Sequence, residues 1–236
     1  MAIDLSKMAG EIVSSRPETR DLLGKSTRTW RVIYMAPAWN FAHRGSKGEG
    51  RNPNKNAPNL TIADLSHIPI PTLLEENGVV LMWTPDGRIP QALSLFEAWG
   101  LKYNGITFYW TKTRDGADLE ALHHERDLPM STGYITRGNP TPLLMGIRGE
   151  PGLRKHLIRG KLRTRGDIRK QQFAPRMPER RPHPKFRDLI EQLYEGPYLE
   201  LFGEAPEGWD YWKPSFEPAQ LSIAPDTETE EDTLNF

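Results

Sequence analysis

Short apolar runs rich in β-branched and aromatic residues recur along the chain, separated by polar segments and by stretches of helical periodicity. Five runs predict strands: residues 30–35 (WRVIYM), stopped by Pro37, then 78–83 (GVVLMW), 106–110 (ITFYW), 141–147 (TPLLMGI) and 198–202 (YLELF). Between them, residues 61–65 start a short helix, Pro69 and Pro71 interrupt the region, and residues 72–76 close it. Residues 88–99 place Ile89, Leu93, Phe96 and Trp99 on roughly one helical face, with Gly100 ending the helix. Residues 186–194 predict a last helix before Gly196 and Pro197. Residues 1–28 hold one weakly amphipathic segment, which predicts a helix and then a linker. Residues 42–59 read as a long loop and 112–132 as polar and irregular. Strands alternating with helices predict an α/β fold with a doubly wound, mostly parallel sheet. Ligands in such sheets sit beyond the carboxyl ends of strands, which directs attention to the residues after Met35, Trp83, Trp110 and Phe202.

Composition narrows this reading. At 236 residues with 37% hydrophobic content, the chain fits one domain with extensions: an extension at 1–29, a domain at 30–216 and an acidic tail at 217–236. There are no cysteines, so disulfides and thiolate zinc sites are excluded. His123, His124 and Glu125 are adjacent and so point to different sides of an element, and no metal site is expected. No apolar run approaches the roughly 20 residues of a membrane span, and the N-terminus lacks a signal-type stretch, so a cytoplasmic protein without membrane contact is expected. The net charge is zero, yet residues 154–187 carry thirteen Lys and Arg against Asp167 and Glu179. A basic cluster of this kind suits a phosphate backbone, because binding releases condensed counterions. The other reading is a solvated loop. Arg163, Arg165, Arg180 and Arg181 are the candidate contacts.

The strand ends carry an ordered series. Tyr34 to Trp39 (YMAPAW) comes first, then Met82-Trp83-Thr84, Trp99-Gly100-Leu101, Trp110-Thr111-Lys112 and Gly133-Tyr134. The series continues with Gly146 to Gly149, Asp188 to Glu191, Glu200-Leu201-Phe202-Gly203 and Gly208 to Trp212. From about Trp30 to Trp212 it resembles the family of the messenger-RNA adenosine methyltransferases (the MT-A seventy type) and their phage and bacterial DNA-modifying relatives. The resemblance implies a Rossmann-like class I methyltransferase fold and an S-adenosylmethionine-dependent enzyme that methylates the exocyclic amine of adenine. It implies that the corner at 36–39 binds the base, Pro37 through its carbonyl and Trp39 by stacking; Asn40 and Phe41 directly follow the corner and are candidates to line the same pocket. It places the cofactor near Glu200, Phe202 and Gly203. DNA is the expected substrate, with RNA possible and a phage origin plausible.

The sequence also departs from that family. The D-P-P-W motif reads Ala36-Pro37-Ala38-Trp39, so the carboxylate is gone. Thr141 aligns with a family glutamate, residues 179–184 replace a His-Ser-x-Lys-Pro segment, and Lys213-Pro214 replaces Gly-Asn. Two leading functions follow, with a repurposed enzyme that transfers another group to adenine as a third. One is an adenine-N6 methyltransferase acting on DNA with Ala36 slowing the reaction. The other is a pseudo-methyltransferase that binds nucleic acid or partners an active paralogue, as a homodimer or heterodimer.

Overall fold

The structure, a computed structural model, describes residues 11–13, 21–22, 28–37, 39, 60–130, 136–178 and 181–212. The strands are β1 (Glu11–Val13), β2 (Asp21–Leu22), β3 (Trp30–Met35), β4 (Leu74–Trp83), β5 (Lys102–Thr113), β6 (Thr141–Ile147), β7 (His156–Ile158), β8 (Lys161–Arg163), β9 (Gln171–Pro175), β10 (Tyr198–Leu201) and β11 (Asp210–Trp212). The helices are α1 (Ile62–Ser66), α2 (Ile70–Leu73), α3 (Ile89–Ala98), α4 (His124–Asp127) and α5 (Lys185–Leu193).

Nine strands form one sheet in the order β2-β1-β11-β10-β3-β4-β6-β5-β9, and β7 and β8 pair separately. The pairings set seven of the nine strands in one direction, with β1 and β6 reversed. The sheet is therefore mostly parallel, with β6 wedged antiparallel between β4 and β5.

Alternation along β3 explains why the run is apolar throughout. Ile33 and Met35 join a core cluster with Leu65, Ala92, Leu95 and Phe96, while Val32 and Tyr34 join a second cluster with Phe186 and Ile190. Successive side chains point to opposite faces, and both faces are covered, by α1 and α3 on one side and α5 on the other. Gly100, with φ +68, ends α3 in the left-handed conformation expected of a terminating glycine, and Leu101 N–H donates to the Phe96 carbonyl at 2.8 Å. Thr61 caps α1 in a reciprocal box with Asp64, whose carboxylate accepts from Thr61 N–H at 2.8 Å.

Several expectations are corrected. Residues 11–13 and 21–22 are strands at the sheet edge, where a helix was expected, because β1 finds a partner in β11. Glu75 and Glu76 lie in β4 and α2 stops at Leu73. Leu74 pairs with Trp30, and Arg31 Nε donates to Glu75 Oε2 at 3.1 Å. The buried face of α3 is Ala92, Leu95 and Phe96, with Ile89 and Leu93 only partly buried. The basic stretch contains the β7–β8 hairpin and β9. Within 112–132, Asn139 orders the start: its side-chain oxygen accepts from Lys112 N–H and its NH₂ donates to the Lys112 and Pro129 carbonyls. No helix among the described residues is long and apolar enough to cross a membrane.

Candidate active site

The carboxyl ends of β3, β4 and β10 lie side by side, since β3 is the parallel neighbour of both others. At the end of β3, Ala36 is half-buried and packs against the core on the α5 side. Pro37 is buried, and its carbonyl accepts from Trp39 N–H at 2.9 Å. A carbonyl has two lone pairs, so one acceptor site remains. Trp39 forms a parallel bridge with Leu60, and its indole N–H donates to the Trp83 carbonyl at 3.0 Å. At 5% exposure the Trp39 ring belongs to the core on the α1–α3 side, and it presents no open face on which a base could stack. Ala38, Asn40 and Phe41 lie outside the described residues.

At the end of β10, Glu200 sits in register with Tyr34 and is buried. Both its oxygens accept from Arg187 of α5, from Nε at 2.6 Å and from Nη2 at 2.8 Å. Burial pushes the Glu200 carboxyl above the usual carboxylate range, and the Arg187 guanidinium pulls it back. The Arg187 guanidinium is itself raised. Burial, the largest single effect, opposes that shift, and the hydrogen bonds to Glu200 together with the charge of Glu200 and its neighbours outweigh it. Such a pair is costly to create in a low dielectric and more costly to break by removing one partner. The chain then turns sharply. Phe202 takes φ +70, a left-handed conformation rare for a bulky residue. Its N–H donates to the Trp212 carbonyl at 2.8 Å and its ring meets Trp212 edge to face. A Cβ on Gly203 would overlap Glu200 Oε1, which Arg187 holds in place, so glycine suits the position beside the paired carboxylate.

Below this corner lies an aromatic layer. Trp83 contacts Trp110 and Phe186 edge to face, and its indole N–H donates to Tyr34 Oη at 2.6 Å. Burial, then the charge of Glu200, drives the Tyr34 hydroxyl far above its ordinary value, so it stays neutral. Trp83 and Trp110 are thus core residues. At the end of β5, Lys112 Nζ donates to the Asn139 carbonyl and to Thr141 Oγ1, and sits 5.1 Å from the Trp110 ring centroid. Burial, and then Arg176, lower its pKa to about 8. Thr141 therefore offers this lysine a neutral hydroxyl. Arg187, which holds Glu200, and Asn139, which holds Lys112, are contacts that sequence reasoning missed. A cation in the first turn of the helix before the Glu200 strand was the available signal for the first.

Of the four candidate arginines, the three within the described residues are not brought together. Arg181 lies near the strand ends, 3.8 Å from Glu204. Arg163 belongs to β8, and Arg165 pairs with Asp167 at 2.7 Å. Arg180 and Glu179 lie outside the described residues, as do Gly133, Tyr134, Lys213, Pro214 and the acidic tail. Among the described residues no group of three His, Asp or Glu could hold a metal ion.

The sheet order, the helices on both faces and the turn beyond β10 define a Rossmann-like methyltransferase fold. The chain belongs to the MT-A70 family, whose description matches residues 30–214. It is also similar to the type II methyltransferase M.MunI of Mycoplasma sp, with 23% identity over 100 residues. That match covers 36% of this chain and 43% of the relative, so the two share less than half of either length.

Proposed function

We propose that this protein is a DNA-directed adenine-N6 methyltransferase of reduced turnover, with S-adenosylmethionine as methyl donor. The observation that carries the reading is the half-buried Ala36 methyl at the end of β3, where the family resemblance implies an aspartate. The cofactor supplies an electrophilic methyl group on a sulfonium. Glu200, Phe202 and Gly203 are the residues that would hold it. Their fit is partial: Phe202 offers an aromatic side chain that is only partly buried and Gly203 leaves no room for a Cβ, while the Glu200 carboxylate is buried and holds Arg187. Pro37 keeps one acceptor site on its carbonyl for an amino group, while position 36 offers none. Loss of a charge-assisted hydrogen bond is worth about 1.5–3 kcal/mol in binding. Where that bond acts mainly in the transition state, its loss slows the reaction by roughly 10²–10³-fold. The Lys and Arg residues of 154–187 support a phosphate-backbone partner.

The Arg187–Glu200 pair favours a second reading, a pseudo-methyltransferase that binds nucleic acid or partners an active paralogue, because it engages both oxygens of the cofactor-side carboxylate. Calorimetric titration of S-adenosylmethionine into the purified protein separates the two. Micromolar binding is expected for the enzyme. A folded protein that gives no heat at high ligand concentration would rule the enzyme out and leave the binding role.

A further inference from the structure

At the far end of α5 from Arg187 stands the β7–β8 hairpin. Its turn residues Arg159 and Gly160 have φ +51 and +72, the left-handed pair that closes a two-residue hairpin. Pairing sets Leu157 opposite Leu162, flanked by His156 opposite Arg163 and Ile158 opposite Lys161. Alternation puts the two leucines on one face. That face is bare: Leu157 is 74% exposed and Leu162 68%, while His156 and Ile158 on the other face are half-buried.

A lone two-stranded hairpin is marginal in water, and this one is anchored. Arg154 donates from its guanidinium to the Glu191 carbonyl and from its backbone N–H to the Leu193 carbonyl, both at 2.7 Å. The His156 ring meets the Gln192 carbonyl at 2.7 Å. These are acceptors of the last turn of α5, which a helix leaves unsatisfied. The hairpin is therefore fixed to the scaffold with its leucine pair facing outward.

Its charge is one-sided. Residues 153–165 hold six Lys and Arg and no acid. Lys155, Arg159, Lys161 and Arg163 are exposed and make no side-chain hydrogen bond or ion pair among the described residues. A groove of about 340 Å³ lined by Arg165, Asp167, Arg169, Lys185, Leu189 and Gln192 among others borders α5 beside the hairpin. α5 has nine residues, so it spans about 13 Å, or roughly four base pairs of duplex at two phosphates per 3.4 Å step.

We infer that this hairpin is a duplex-DNA contact, with Leu157 and Leu162 entering a groove as an apolar wedge while Lys155, Arg159 and the long exposed side chains of Lys161 and Arg163, which leave from the opposite face, reach the flanking phosphates. Apolar side chains between basic ones are how groove-inserting proteins unstack or bend a duplex. The inference rests on the nucleic-acid part of the function proposed above and adds a surface remote from the strand-end corner.

The test uses the full chain and a fluorescent duplex of about two helical turns, with affinity read by anisotropy between about 50 and 200 mM salt. Replacing Lys155, Arg159, Lys161 and Arg163 with Gln together is expected to lower the slope of log affinity against log salt by about 3 to 4. The pair Leu157→Ser and Leu162→Ser is expected to cost about tenfold or more in affinity with the slope unchanged. Circular dichroism checks that both variants fold. Unaltered binding by the leucine variant overturns the wedge. A leucine variant that changes the sedimentation state and binds DNA normally overturns it in favour of a protein-contact surface. If the unmodified protein fails to bind duplex, the DNA reading falls as well. If it binds and both hairpin variants bind equally, only the hairpin inference falls.

Discussion

The two ends of α5 use arginine in opposite ways. At its start, Arg187 is largely buried and gives its fork to Glu200. Beyond its end, Arg159 and Arg163 stand in solvent on a hairpin that also exposes two leucines. The first charge is neutralised inside the protein and shapes the turn at Phe202 and Gly203. The second group carries charge that nothing among the described residues balances. The difference separates structure from recognition. A buried cation with a fixed partner determines stability, whereas exposed cations contribute little to folding and are available to an outside anion.

The largest effect that could break this comparison is at Arg187. Arg187→Met leaves Glu200 buried and unpaired, and is expected to destabilise by about 3–5 kcal/mol in denaturant unfolding. Adding Glu200→Gln should recover much of that loss. Absence of recovery would mean that Arg187 acts through something other than the ion pair. Next comes Asn139→Ala, which removes three side-chain hydrogen bonds, two to Lys112 of β5 and one to Pro129. A loss of about 1–3 kcal/mol is expected, with faster amide hydrogen exchange at Lys112.

A smaller effect is the pH dependence set by Lys112. Its pKa is about 8 in the folded protein and ordinary, about 10.4, in the unfolded chain. Between these values the unfolded state binds more protons, so stability rises with pH. Lys112→Met should abolish that part of the rise. The comparison belongs between about pH 8 and 10, because above about 10 the unfolded tyrosines ionise while burial holds Tyr34 and Tyr194 neutral, which lowers stability. Smallest is the effect of Lys161→Gln with Arg163→Gln on folding. It should lie within about 0.5 kcal/mol, even though duplex affinity falls. A large stability change there would remove the contrast between the two ends of the helix.

Legibility in the sequence followed burial. Residues 30–35 and 141–147 are strands with the bounds their apolar runs predicted, because central strands are buried and their side chains alone specify them. β9 (QQFAP) and β11 (DYW) carry no such signal. Each exists because β5 or β10 offers it an open edge, which is information from distant residues. Glu75 and Glu76 read as a helix end for the same reason, since only pairing with β3 and the bond from Arg31 draw that segment into β4. The position of Glu200, Phe202 and Gly203 at a strand end was legible from the resemblance. The pairing of Glu200 with Arg187 was not, because it needs α5 to fold back over β10. Trp39 illustrates the limit of motif reading, since its indole is directed into the core by the carbonyl of Trp83.

In the proposed function Ala36 slows methyl transfer on a methyltransferase fold whose strand-end corner is in place. The most direct test of this claim is transfer of labelled methyl from S-adenosylmethionine to adenine in duplex DNA, measured side by side for the natural chain and for Ala36→Asp. The expected result is a slow rate for the natural chain and a gain of about 10²-fold or more for Ala36→Asp. Equal rates in the two proteins, or no product from either, would contradict the claim.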